Sequence, residues 1–164
     1  SCHTAPEEKL VNVGGHPAGR PESALVAWSQ GMVRHNFLRG NGANALASPE
    51  RLRSLYAVGV MADLEASLRA VAIATEKAPY GIAAAKRALK LKKRLQEIQQ
   101  TVDNPFIQQA MDAALAAPLK LGNRDVLLTA ADAISKAAYQ FAATADGAAL
   151  EPLDQFRPPP EKYR

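Results

Sequence analysis

The sequence predicts an all-α protein, namely an up-and-down four-helix bundle with an extended arm at each end. Alanine, the best helix former, occurs throughout the 164 residues, whereas aromatic residues make up only 5%. Strands favour the aromatic and β-branched residues that are scarce here. Apolar residues recur at spacings of three and four between clear helix start signals. We therefore expect a helical bundle over residues 22–146, an N-terminal arm over 1–21 and a C-terminal arm over 147–164.

The N-terminal arm is predicted because proline and glycine interrupt residues 1–21 too often for a helix or a central strand. A first helix is predicted to follow over 22–38, where Leu25 and Trp28 begin an apolar face. The Gly-Asn-Gly sequence at 40–42 ends that helix, because glycine and asparagine favour turns.

The second helix has the clearest start signal in the chain. Ser48 suits the N-cap, and Pro49 suits the first helical position, where an amide N–H would lack a partner in any case. The helix is predicted over 49–77, and Pro79 ends it. Its apolar stripe repeats every four residues and comprises Leu52, Tyr56, Val60, Leu64 and Leu68.

A third helix is predicted over 80–100, and the last helix over 124–144. In both, the apolar residues alternate steps of four and three, as in a coiled-coil seam. Asn104 followed by Pro105 is a second cap and first-turn signal, which predicts a break before a further helical piece over 106–116.

The segment after residue 146 is predicted to be an extended arm. It is rich in proline, and Pro158, Pro159 and Pro160 are consecutive, which favours a polyproline conformation. An arm of this kind buries little surface by itself, so we expect it to lie across a partner.

A basic run on the third helix is the most prominent local feature of a chain with a net charge of +4. The predicted docking residues of this run are Lys86, Arg87, Lys90, Lys93 and Arg94. Complementary charge would orient them on an acidic protein surface, although a solvated helix face has the same pattern. Nucleic acid is not the expected partner, because no aromatic or glycine residues alternate with the basic ones.

Several classes of function find no support in the sequence. A single cysteine, Cys2, excludes an intrachain disulfide and a cysteine-based zinc cluster. No stretch is long and apolar enough for a membrane span. The chain has no phosphate-binding loop, no nucleophile elbow and no paired histidine motif. We therefore predict no catalytic residue, no metal site and no cofactor.

The second helix contains the stretch Arg51-Leu52-Arg53-Ser54-Leu55-Tyr56 near its start. This stretch is similar to an Arg-Leu-Arg-x-x-Tyr stretch in the PsbQ-type extrinsic subunits of photosystem II, and the layout of the chain resembles that of this family. The resemblance implies a basic four-helix bundle behind a Pro/Gly-rich arm. It also implies a non-catalytic role in the thylakoid lumen, where such subunits dock on the photosystem and support oxygen evolution.

The sequence thus favours a non-enzymatic accessory subunit that docks on a large assembly through a basic helix face and its arms. Two alternatives stay open: a bundle that binds a small ligand or pigment, and an enzyme whose site forms at an oligomer interface. We expect an organellar location after removal of a transit peptide, in the thylakoid lumen or else in the mitochondrion. Peripheral association with a membrane complex is compatible with this location.

Overall fold

A computed structural model describes Ala5 and residues 7–19, 25–30 and 47–163. These residues form helices and turns without a β-sheet, which confirms the all-α prediction. The α-helices are α1 (Glu8–Asn12), α2 (Leu25–Gln30), α3 (Pro49–Ile73), α4 (Pro79–Thr101), α5 (Pro105–Leu115) and α6 (Arg124–Thr144). Two 3₁₀ helices follow, η1 (Glu151–Phe156) and η2 (Pro160–Lys162).

Four of these helices, α3 to α6, pack in a ring. Helix α3 contacts both α4 and α6, while α5 contacts α4 and α6 from the other side. The short connections between successive helices make neighbours antiparallel, as in an up-and-down bundle. The separate helix α5 is therefore a member of the ring, whereas the sequence had suggested a break in the third helix. The first predicted helix is described only over Leu25–Gln30, where it packs against α3, and its remainder lies outside the described residues.

Both proline-containing start signals form the predicted caps. The Ser48 hydroxyl oxygen accepts a hydrogen bond from the backbone N–H of Arg51 at 3.4 Å. The Asn104 side-chain oxygen accepts from the N–H groups of Phe106 and Ile107 at 3.0 and 3.3 Å. Each cap satisfies amides that the first helical turn leaves without a partner, so the helix begins where the sequence places it.

Helix α3 ends at Ile73, earlier than the predicted end at residue 77. The backbone becomes extended at Ala74, and the next amide, that of Thr75, donates to the Glu8 carboxylate at 3.0 Å instead of continuing the helix. A contact from a distant part of the chain thus sets this boundary, which explains why local sequence signals missed it.

The core lies between the four helices of the ring and contains many small side chains. Its large, fully buried members include Met61, Leu64, Leu68, Leu95, Ile98, Ile107, Leu127, Ile134 and Phe141. Each such side chain contributes roughly 1.5–3 kcal/mol by leaving water. The fully buried alanines include Ala57, Ala88, Ala110, Ala114 and Ala131. Because the distance between packed helices depends on the side chains at the contact, these alanines allow close helix approach.

Helix α3 is joined to three of its neighbours by ion pairs that use one arginine and one aspartate each. These pairs are Asp63–Arg87 to α4 at 2.7 Å, Arg69–Asp132 to α6 at 2.7 Å and Arg53–Asp154 to η1 at 2.8 Å. In the first and third, both carboxylate oxygens accept from one guanidinium, a geometry with strong directional preference.

The structure corrects the expectation of an extended arm over residues 147–164. The described part of this segment folds back onto the bundle, with Leu150 and Leu153 buried in the main core and Phe156 packed against it. Gly147 lies so close to the Glu50 carbonyl that a Cβ at this position would collide with it. Apolar contacts therefore attach the segment to the bundle, while the backbone at Pro159 keeps the extended conformation that consecutive prolines favour.

The described part of the N-terminal segment, Ala5 and residues 7–19, also packs on the bundle instead of extending as an arm. Helix α1 lies against the start of α4, where Ala5 and Val11 form a small apolar cluster with Tyr80. The Asn12 side-chain oxygen accepts a hydrogen bond from the Tyr80 N–H at 2.9 Å. This contact acts as a cap for α4, whose own N-cap residue, Ala78, has no side-chain acceptor.

Hydrogen bonds from Thr75 hold the Glu8 carboxylate in place beside this cluster. Desolvation acts to raise the pKa of Glu8, but the hydrogen bonds from the Thr75 hydroxyl and amide outweigh it and the pKa is lowered. The charged form of Glu8 thus helps to fasten α1 to the turn between α3 and α4.

Candidate functional site

Three lysines on one side of α4 form the most exposed part of the predicted docking run. Lys86, Lys90 and Lys93 are spaced by four and three residues, so they lie on one helix face, and all three are exposed. Within the described part of the chain, none of their ammonium groups forms an ion pair or a hydrogen bond. We call these residues the lysine face.

Arg87, also a predicted docking residue, has an internal partner. Its guanidinium donates two hydrogen bonds to the Asp63 carboxylate at 2.8 and 2.7 Å. The two side chains are only 14% and 19% exposed, so most of the pair is shielded from solvent. Arg87 therefore joins α4 to α3, and its charge is already compensated.

Arg94, at the other end of the run, contacts the C-terminal segment. Its guanidinium carbon lies 5.1 Å from the centre of the Phe156 ring, a distance that permits a cation–π contact, and the side chain pairs with Glu97 at 3.0 Å. Like Arg87, this predicted docking residue stabilises the fold.

Lys92 is half-buried between α4 and α5. Its ammonium group donates a hydrogen bond to the Ala117 carbonyl at 2.8 Å, just beyond the end of α5. Burial lowers the pKa of Lys92 because the charged form loses solvation. With Lys92 included, the basic stretch 86–94 of α4 therefore contains three exposed lysines and three partly buried residues with internal contacts, Arg87, Lys92 and Arg94.

An alanine-lined groove borders the lysine face. It has a volume of about 340 Å³ and lies between the N-terminal segment and the α3–α4 pair. Ala66, Ala70 and Tyr80 belong to its apolar lining, and Lys86 and Lys90 stand at its edge. An apolar surface beside exposed cations suits an acidic partner that also presents apolar side chains.

The three prolines predicted as docking residues belong to the C-terminal segment, far from the lysine face in the sequence. Pro158 and Pro159 lie between η1 and η2, and Pro160 is the first residue of η2. Phe156 before them and Tyr163 after them both pack against the core. Pro159 and Pro160 are exposed, whereas Pro158 is partly covered. Pro159 and Pro160 are therefore available for contact on the bundle surface.

The described residues contain no group of three or more histidine, cysteine, aspartate or glutamate side chains that could hold a metal ion. Cys2 and His35 lie outside this part of the chain. Over the same residues, no helix has the length and apolar character needed to cross a bilayer. The candidate features of the described residues are the exposed lysines of α4 and the apolar groove beside them.

Comparison of the chain with protein-family models, with curated proteins and with solved structures finds no match.

The sequence pattern did not predict that the arginines of the basic run have internal partners while Lys86, Lys90 and Lys93 are exposed. Asp63 lies 24 positions before Arg87, so the pair becomes visible only when α3 and α4 pack. A usable signal did exist, because Asp63 stands next to the apolar stripe of its helix. Arginine is also the residue best suited to partly buried, two-pronged contacts with carboxylates.

Proposed function

We propose that the protein is a non-enzymatic accessory subunit that docks on an acidic surface of a larger assembly through the lysine face. The observation that supports this proposal is the difference between the arginines and the exposed lysines of α4. Arg87 and Arg94 have internal partners, whereas Lys86, Lys90 and Lys93 are exposed and form no ion pair within the described residues. Three adjacent uncompensated cations attract and orient an acidic surface.

Exposed charges of this kind act mainly on the rate and orientation of association. Their long-range effect is screened over about 8 Å at physiological ionic strength. Docking should therefore weaken as salt is added, and the alanine-lined groove beside Lys86 and Lys90 would supply the apolar contact that keeps the partner bound.

The resemblance of residues 51–56 to the PsbQ-type stretch supports a specific version of this proposal. In that version the assembly is photosystem II, and the protein is an extrinsic subunit on its lumenal side that supports oxygen evolution. The exposed Pro159 and Pro160 would add a second contact. A mitochondrial assembly is the competing location.

The decisive experiment replaces all three lysines of the lysine face by glutamate. The matched control replaces Lys9, Lys136 and Lys162 by glutamate, since these are also exposed and have no ion pair in the described structure. The two variants change the net charge equally. Each tagged protein is expressed in the source organism, and the fraction that migrates with a large complex is measured on a native column.

We expect the wild type and the control to migrate with the complex, and the lysine-face variant to migrate as the free chain. Added salt should release the wild type, and mass spectrometry of the complex would name the partner. Migration of the wild type as a free chain would contradict the subunit role. Equal retention of both variants would contradict the assignment of the lysine face.

A further inference from the structure

A second groove lies on another side of the α3–α4 pair, where the chain between α5 and α6 crosses it. Its volume is about 420 Å³, within the range of small-molecule sites. Its apolar lining includes Val71, Ile82, Ala85, Leu119 and Leu121. Ile82 and Leu121 are 38% and 44% exposed, so a bound apolar group would cover surface that now faces water.

Three lysines belong to the same groove. Lys77 comes from the turn before α4, Lys86 from α4 itself and Lys120 from the chain before α6. All three are exposed, and none of their ammonium groups forms an ion pair or hydrogen bond within the described residues. The acidic residue of the lining, Glu76, accepts a hydrogen bond from the Asn12 side chain at 3.0 Å.

From this combination we infer that the groove binds an amphiphile with a single alkyl chain and a carboxylate head. The alkyl chain would lie on the apolar lining, and the carboxylate would contact the ammonium groups at the edge. A cationic amphiphile would meet three like charges. A polar anion such as a nucleotide would leave its hydrogen-bonding groups against apolar side chains, which is costly.

This inference does not depend on the docking proposal. Only Lys86 belongs to both the lysine face and the groove, whereas Lys77 and Lys120 lie away from that face. It gives a specific form to the small-ligand alternative that the sequence left open.

The test titrates the full chain with decanoate, decanol and decyltrimethylammonium and follows binding by calorimetry. The two ionic probes are kept below their micellar concentrations, and decanol is kept below its solubility limit. The three probes share a chain length and differ in head-group charge. We expect one equivalent of decanoate to bind, decanol to bind more weakly and the cationic amphiphile not to bind. A parallel arm with phosphatidylglycerol vesicles distinguishes a free carboxylate from a lipid surface.

Two variants locate the site, and a third serves as the control. Lys120→Glu should weaken decanoate binding about tenfold or more, since a charge-assisted contact becomes a repulsion. Ile82→Gln should weaken decanoate and decanol together, because it removes apolar lining. Lys136→Glu, an equal charge change on α6, should leave binding unchanged. Circular dichroism establishes that each variant is folded.

Equal binding of all three probes, no binding of decanoate, or binding of vesicles alone would overturn the inference. Unchanged decanoate binding by folded Lys120→Glu would also overturn it. Failure here and failure of the docking proposal are distinguishable. Lys120→Glu leaves the lysine face intact, and a Lys90→Glu/Lys93→Glu double variant leaves this groove intact.

Discussion

The two ends of the described chain are both fastened to the bundle, but by different kinds of contact. The N-terminal end is held by hydrogen bonds that the Glu8 and Asn12 side chains accept from backbone amides, and by a small separate apolar cluster. The C-terminal end places Leu150 and Leu153 in the main core itself. Both ends had looked alike in sequence, as extended segments rich in proline or glycine.

This difference teaches which parts of the molecule unfold together. A segment that shares the main core is lost only when the core is lost, so the C-terminal end belongs to the cooperative unit. A segment held by exposed hydrogen bonds opens locally at lower free energy. The N-terminal segment should therefore detach while the bundle stays folded.

The largest effect is expected for Leu153→Ala in the C-terminal segment. Leu153 is fully buried, and removal of such a side chain costs about 2–5 kcal/mol of unfolding free energy. Urea unfolding followed by circular dichroism measures the loss. The control is Leu115→Ala, at a leucine that is 65% exposed, where the change should stay within about 0.5 kcal/mol. Equal effects of the two variants would show that the C-terminal segment lies outside the cooperative core.

A smaller and pH-dependent effect is expected for Asp154→Asn. The Arg53 guanidinium, through its hydrogen bonds, holds the pKa of Asp154 below its ordinary value of 3.8. Because the pKa of Asp154 is lower in the folded than in the unfolded state, its ionised carboxylate stabilises the fold fully at pH values above 3.8. The contribution is lost as pH falls through the lowered pKa. Because Asp154 is 36% exposed, solvent screening reduces it to about 1 kcal/mol or less.

Thermal unfolding at neutral pH and below about pH 3 tests this expectation. The variant should be less stable than the wild type at neutral pH, and the difference should shrink in acid. Asp112→Asn provides the comparison, because Asp112 is exposed and forms no ion pair in the described structure. A difference between Asp154→Asn and wild type that persists unchanged in acid would mean that the charge of Asp154 is not what holds the segment.

The smallest global effect is expected for Asn12→Ala in the N-terminal segment. The variant removes the acceptor for the Tyr80 N–H, and loss of a helix cap typically costs about 1 kcal/mol. Here the lost free energy should make the local detachment of α1 from α4 easier, without changing the stability of the bundle. Amide hydrogen exchange should become faster at Tyr80 while the urea midpoint of the bundle stays unchanged. A clear drop of that midpoint would mean that both ends belong to one cooperative unit.

The sequence was sufficient for features that local chemistry decides. Ser48 with Pro49 and Asn104 with Pro105 predict two helix starts, and the last helix occupies its predicted range, Arg124–Thr144. It was insufficient where distant groups compete for the same backbone. The end of α3 depends on Glu8, which takes the Thr75 amide from 67 positions away in the chain.

The C-terminal segment contains two sequence patterns that favour different conformations. Pro158, Pro159 and Pro160 favour an extended chain. Just before them, however, Leu150, Leu153 and Phe156 recur at every third position, the period of a 3₁₀ helix. That spacing places three apolar groups on one side of a tight turn, which is sufficient to attach the segment to the core.

The candidate sites were less accessible to sequence reasoning than the fold. The lysine face could be predicted, because its members share one helix. The second groove could not, because Val71, Ala85 and Leu119 belong to three different parts of the chain. A groove exists only once those parts are packed, and neither composition nor periodicity reports which surfaces remain uncovered.

The many alanines of the core have a consequence for the alignment of the helices. Helices with small side chains present shallow ridges, so sliding one past another by a turn, about 5.4 Å, sacrifices less interlocking than in a leucine-rich bundle. The three arginine–aspartate pairs of α3 remove this ambiguity, since a displacement of that size would separate every pair. The pairs therefore favour the observed axial alignment of the helices over one shifted by a turn.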